Sequence, residues 1–520
     1  MNRVDFKLRP PLDDEATWRS AIYAPPPAPA IVARVFHSKR RLEVSAEALF
    51  VALFGAVASS FWLDTSRVMP GLSRFSFMGD GDCGEVLRYR TDERSVELVR
   101  GGAHATRARA DHGFFHYLRE RLRRYQVIGD TLPFDFIGGF VGYFGYELKA
   151  ECGGRAVHRS VHPDAAGLWV QRFLAIDHVS QEVYAVAISL TDEEDQRARD
   201  WLADMSRRLD RIAEPALPGT GTDRSTLDFS LESNAPAYLE AIDRALDYIN
   251  AGDTYEICLT NRLRARIAVD PLALYRTLRR VNPAPFAAYL RLDELHVLCS
   301  SPERFLRIDR NRMVQAKPIK GTAPRGQSAE DDRRIAAELA ASEKNRAENL
   351  MIVDLLRNDL GRVCEIGSVQ VPVLMGIETY ATVHQMVSTI TGRLRADVHA
   401  VDCLQAAFPG GSMTGAPKIH TMALLDELEG SARGVYSGAL GYLSLSGCAD
   451  LNIVIRTIVL HGDELSIDAS GAIVTGSEPQ SELDEALLKA KALLDAVALC
   501  RRGDLEGVPY QVTGAWLDRA

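Results

Sequence analysis

The chain has 520 residues, with 61 Lys and Arg against 70 Asp and Glu, for a formal net charge of −9. Hydrophobic residues at 46% and charged residues at 25% are those of a globular chain, which excludes a disordered, collagen-like or small disulfide-stapled protein. The acidic balance carries no basic footprint for nucleic acid, and the longest apolar stretch near the start, 48–63, is shorter than the roughly 20 residues that span a bilayer, so neither a nucleic-acid nor a membrane partner is expected.

The first residues lack the apolar run of a signal peptide. The eight cysteines show no CxxC pair or ligand spacing, which reads as reduced thiols in a cytoplasmic protein. One compositional break, EPALPGTGTDRST at 214–226, divides the chain into an N-terminal region 1–213, a linker 214–226, a main region 227–505 and a tail 506–520. Before the break, 168–176 and 182–188 alternate apolar and polar residues around a polar turn and predict a hairpin. After it, Ser233 and Asn234 cap a helix whose Tyr238, Ile242, Leu246 and Ile249 share a face and which ends at Gly252. Short strands follow at 286–292, 295–300, 304–308 and 313–315, joined by short polar turns that predict antiparallel neighbours. A second meander lies at 435–445, 451–460 and 465–469, and helical periodicity fills 346–362, 417–429 and 481–499. The fold class is α+β, antiparallel sheets with helices packed outside.

Three segments could carry chemistry. Glu482, Glu485 and Lys489 lie along one stripe of the last helix and Glu348 opens another, a set of oxygen donors that suits Mg2+. The same spacing also suits a solvated helix face with an ordinary ion pair. The loop Gly410 to Lys418, GGSMTGAPK, offers backbone N–H groups ahead of a helix, as an anion site or as a flexible turn. In KPIKGTAPRG (317–326), prolines and glycines fix the backbone around Lys320. A lysine desolvated among cations has a depressed pKa and serves as nucleophile or base, whereas in an open turn it is merely solvated. Glu303, after Ser301 and Pro302, could be the acid of a proton-transfer pair with it.

Together, SPERFL (301–306), PIKGTAPRG (318–326), RAENLMIVDLLRNDLGRV (346–363), TVHQMVS (382–388), FPGGSMTGAPK (408–418), YSGALGY (436–442), IRT (455–457) and the closing glutamate helix occur in a familiar order. The chain resembles the chorismate-utilising enzymes, the family of component I of anthranilate synthase and of aminodeoxychorismate synthase. The resemblance runs from about 236 to 499, with weaker matches at 61–80 and 138–147. It implies two antiparallel sheets forming a sandwich. It also implies Mg2+ held by Glu348 and Glu485 with support from Glu482, and an enolpyruvyl carboxylate cradled by Tyr436, Arg456, Lys489 and the backbone at Gly471. Ser412 and Thr414 would complete the substrate loop, His384 would stand against the ring, and Glu303 would protonate the departing C4 hydroxyl.

Anthranilate synthases typically carry PIAGT where this chain has PIKGT; the resemblance therefore implies attack of Lys320 on C2 and delivery of nitrogen to C4, towards para-aminobenzoate. C2 amination and a non-catalytic scaffold for an amidotransferase stay open as alternatives. Isochorismate and salicylate synthases place a water-activating lysine where Glu256 stands, which argues against hydroxylation. No cysteine lies in a Gly-x-Cys-x-Gly turn, Cys83 sitting in GDCGE, so ammonia is expected from a separate glutamine amidotransferase subunit. The chain's end at Ala520 leads to the expectation that no lyase is fused and that 4-amino-4-deoxychorismate is released. A tryptophan-like ligand pocket is implied near Asn282 to Phe286.

Overall fold

The computed structural model describes residues 31–513 apart from 82–83, 101–104, 219–220, 222 and 381–382. The N-terminal residues expected to lack a signal sequence, and Cys83, lie outside these. The described strands form one 14-stranded and one 12-stranded sheet. An apolar core lies between them, where Phe61 and Phe173 of the larger sheet meet Phe140 and Leu306 of the smaller. Because successive strand residues face opposite ways, Trp62, next to Phe61, points to the outer face. There it joins Leu274 and Leu278 of helix Pro271–Val281 and Leu493 and Val497 of helix Pro479–Arg502. The larger sheet is thus buried on both faces, and no helix among the described residues is long and apolar enough to cross a membrane.

Both sheets draw strands from either side of 214–226. Strand Phe286–Leu292 pairs with Ser59–Asp64, and Ala439–Ser444 pairs with Gly139–Phe144. The expected helix forms over Ala235–Ala251, with the Asn234 side chain accepting from the Ala237 N–H and Gly252 closing it at φ 84°.

Three expected continuities are broken in the same way. The stretch 168–176 divides at Gln171 into Ala165–Val170 of the smaller sheet and Arg172–Asp177 of the larger. The stretch 451–460 divides into Ala449–Ile453 of the smaller sheet and Thr457–His461 of the larger. Strands Leu295–Ser301 and Arg304–Ile308 are not neighbours, because at Pro302 and Glu303 the chain passes from one sheet to the other. A two-residue gap reads in sequence as a hairpin turn; between stacked sheets it is a crossing. Nor are the sheets wholly antiparallel: Ile31–Arg41 runs parallel to Tyr125–Ile128, and Leu227–Leu231 parallel to Tyr510–Thr513.

Candidate active site

Two of the crossings carry expected site residues. Glu303 sits at the first, buried, with Ser412 Oγ of the short turn Gly411–Met413 donating to its Oε1 at 3.0 Å. Burial pushes its pKa up to about 7; the Ser412 bond, the charge of Lys320 and the Ile319 N–H pull the other way without prevailing. It is a carboxyl poised to give a proton near neutrality.

Arg456 sits at the second crossing with φ 51°, a left-handed conformation that costs a non-glycine residue about 1–2 kcal/mol. Its carbonyl accepts from both the N–H and the Oγ of Ser300, each at 3.0 Å, and Asn282 Nδ2 in turn donates to that Oγ at 2.9 Å. These bonds hold the strained backbone. The guanidinium, whose pKa burial lowers, donates to the Lys489 carbonyl.

Lys320 is on strand Ile319–Pro324, not in an open turn; the bulge between Ile319 and Thr322, with Gly321 at φ 87°, hid the strand from sequence reading. Its Nζ donates to Glu256 Oε1 at 2.5 Å and lies 3.7 Å from Glu348 Oε2. The expectation of a lysine among cations is corrected: its neighbours are carboxylates. Burial alone would lower its pKa, but Glu256 and Glu348 outweigh this and hold it raised, so the resting group is an ammonium.

Glu348, Glu482 and Glu485 line the same region. Lys344 Nζ reaches Glu482 Oε1 at 2.8 Å, and Ser477 Oγ donates to that same oxygen at 2.6 Å, while Lys489 Nζ reaches Glu485 Oε1 at 2.7 Å. Among the described residues no three His, Cys, Asp or Glu side chains stand close enough together to hold an ion as they are. The donor set nonetheless fits Mg2+. All the donors are carboxylate oxygens, Glu482 Oε2 and Glu256 Oε2 are buried without a partner, and burial together with Glu256 raises the pKa of Glu348 against the pull of Lys320 and Lys344. A cation would relieve this excess of buried negative charge.

Residues expected to form the cradle are neighbours. Tyr436 Oη and Ser470 Oγ are 3.0 Å apart, and Lys489 Nζ donates to the Ser470 carbonyl at 3.0 Å. Gly471, next along the strand Glu464–Ile473, has room for no side chain beyond a Cβ, which would lie 3.2 Å from Glu482 Oε2. Two residues are engaged elsewhere. Thr414 Oγ1 donates back to the carbonyls of Gly410 and Gly411, both at 3.3 Å, and His384 has both ring nitrogens taken, by Thr379 Oγ1 and Asp332 Oδ1, each at 2.9 Å.

Sequence reading missed the partners. It noted Glu256 but not its pairing with Lys320, and it did not single out Ser300, Asn282, Lys344 or Ser477. It also missed Arg433, which is buried over the Tyr146 ring and ties the Met413 carbonyl (2.6 Å), the Cys258 carbonyl (2.7 Å) and Glu429 into one frame. Of these, Ser300, beside the SPERFL motif, and Asn282, at the head of the segment 282–286, carried a local signal. At the segment Asn282 to Phe286 the structure has a cavity of about 430 Å3, lined by Pro285, Phe286, Phe75, Asp64 and Arg304 among others.

The sequence profile of the family described as chorismate binding enzyme matches residues 86–495. The chain belongs to the chorismate-binding enzyme family. Within it, the chain is 48% identical over 465 residues to an aminodeoxychorismate synthase of Streptomyces pristinaespiralis, an alignment covering 88% of this chain and 64% of that one. It is 41% identical over 379 residues to anthranilate synthase component 1 of Thermus thermophilus, covering 71% and 79%. The chain thus spans less than two thirds of the length of the first relative. Among solved structures, anthranilate synthase component I of Streptococcus pneumoniae superposes with a TM-score of 0.70 at 29% identity, covering 82% of this chain and 93% of that one. The fold of this chorismate-binding enzyme is that of anthranilate synthase component I.

Proposed function

We propose that the chain catalyses Mg2+-dependent amination of chorismate at C4, giving 4-amino-4-deoxychorismate on the way to para-aminobenzoate, with ammonia supplied by a separate glutamine amidotransferase subunit. The observation that carries this reading is the placement of Lys320, buried and hydrogen-bonded to Glu256 in the same enclosure as Glu303. A lysine has no use at this position for direct attack of ammonia on C2, whereas a two-stage displacement needs a fixed amine.

Glu348, Glu482 and Glu485 would hold the metal, which supplies charge to anchor and polarise the ring carboxylate. Arg456, Lys489 and Tyr436 receive the second carboxylate. Lys320 Nζ bonds to C2, having given its proton to Glu256, the carboxylate hydrogen-bonded to it. The ring double bonds shift and the C4–O bond breaks. Hydroxide is a poor leaving group, and Glu303 gives its proton so that water departs. Ammonia then bonds to C4, the double bonds shift back, and the C2–N bond breaks with its electron pair returning to Lys320. The proton shed by the new C4 ammonium restores Glu303.

Incubation of the purified chain with chorismate, Mg2+ and ammonium at alkaline pH tests the reading. Conversion to 4-amino-4-deoxychorismate is expected. Fluorescent anthranilate would instead establish C2 amination, and unconsumed chorismate would favour a scaffold.

A further inference from the structure

The proposed amination needs a place for its second nucleophile. We propose that a small cavity beside Glu303 is the subsite from which ammonia attacks C4, an inference that rests on the function proposed above. The cavity has a volume of about 10 Å3, room for one molecule of about the size of water. Glu303, Ser412 and Arg304 are its polar lining residues, the Arg304 guanidinium being bonded to Asp450 and to the Leu72 carbonyl, and Ile352, Leu356, Pro318 and Ile453 supply apolar wall.

Three observations converge on this occupant. Size disfavours anything larger than one heavy atom. Chemistry favours a small neutral hydrogen-bonding molecule, since an apolar wall penalises an ammonium ion far more than ammonia. Location is the third: Glu303 serves the C4 hydroxyl, and the carbon that loses oxygen is the carbon that gains nitrogen, so departing water and arriving ammonia share one position against one carboxyl group. Once Glu303 has given up its proton it accepts an N–H from ammonia, and the nitrogen lone pair is left free for the ring.

The walls are tightly set. Ile352, Leu356 and Ile453 are all buried. The loop that carries Ser412 packs so closely that a Cβ on Gly410 would come within 2.5 Å of Ile453 Cδ1, and one on Gly411 within 2.6 Å of Leu355 Cδ2. Such a site excludes a second water, which would otherwise compete with ammonia for C4. Leu356, which lines the cavity as part of its apolar wall, sets the space available to the nucleophile.

The test uses the full chain with Mg2+ and chorismate, supplied with either ammonium or methylammonium. In Leu356→Ala the rate with methylamine relative to ammonia is expected to rise at least about tenfold, the order of discrimination a hydrophobic pocket exerts over one methyl group, with an N-methylated product in the mass spectrum. The KM for chorismate is expected to stay within about twofold. Because the readout is a ratio, partial unfolding does not mimic it, and the milder Leu356→Val is expected to shift it in the same direction. An unchanged amine preference in both variants, or a change confined to the KM for chorismate, overturns the inference. Absence of 4-amino-4-deoxychorismate from the unsubstituted chain with ammonium would instead overturn the function on which it rests.

Discussion

Two glutamates, Glu303 and Glu485, live in opposite electrostatic regimes. Glu303 is enclosed with a single hydroxyl on its side chain, and burial pushes its pKa up to about 7. Glu485 stands on the last helix with Lys489 at 2.7 Å; burial opposes ionisation there too, but Lys489, Lys344 and Lys320 outweigh it and lower the pKa. The same side chain favours its protonated form in one place and its anionic form in the other. Desolvation without a bonded cation favours the protonated acid at Glu303, and the bonded Lys489 ammonium favours the anion at Glu485; at Glu348, where no ammonium is so close, burial still prevails.

The largest effect should come from removing the proton and keeping the shape. Glu303→Gln is expected to lower kcat for chorismate consumption by about 10²–10⁴-fold with little change in KM or in Mg2+ affinity. If kcat survived, the buried carboxyl would be a packing group and the contrast would fail. Glu485→Gln is expected to do the converse. Mg2+ binding in the presence of chorismate, followed by calorimetry, should weaken at least about tenfold.

A smaller effect tests the support of Arg456. Ser300→Ala removes a hydroxyl that donates to the Arg456 carbonyl. A hydrogen bond contributes about 1 kcal/mol, so a rise of about fivefold in the KM for chorismate is expected, with kcat unchanged. A fall in kcat alone would mean that Arg456 does not need this support to bind substrate.

A separate effect is one of stability. The folded pKa of Glu303 lies above its ordinary 4.5, so the folded state holds a proton that the unfolded state releases. That contribution is present in full below about pH 4.5 and is lost as pH rises through about 7. Relative to Glu303→Gln, the unsubstituted chain should lose up to about 1.4 kcal/mol per pH unit across this window in urea unfolding. Parallel curves for the two proteins would show that Glu303 is not held protonated.

How much of this was legible depends on the range of the interaction. Strand Phe286–Leu292 and helix Ala235–Ala251 could be read to the residue or nearly so, because alternation and capping are local. Glu303, Lys320 and the glutamates were found as motifs, yet neither their surroundings nor their charge states followed from sequence. Glu256 is 64 residues from Lys320 and Ser300 is 156 from Arg456, and nothing in a one-dimensional pattern pairs them. The sheet crossings escaped for a related reason. A short polar gap has the same composition whether the chain turns back or passes to the facing sheet. That ambiguity concealed why Glu303 and Arg456 sit at passages between the sheets.

The central claim is that the Lys320 amine becomes covalently attached to the ring. Mass spectrometry of the Lys320 peptide, after incubation of the chain with chorismate and Mg2+ and without ammonia, tests it directly. An adduct equal to chorismate less one water, dispersed when ammonium is added, is the predicted result. A Lys320 peptide that stays unmodified while the same preparation aminates chorismate would contradict it.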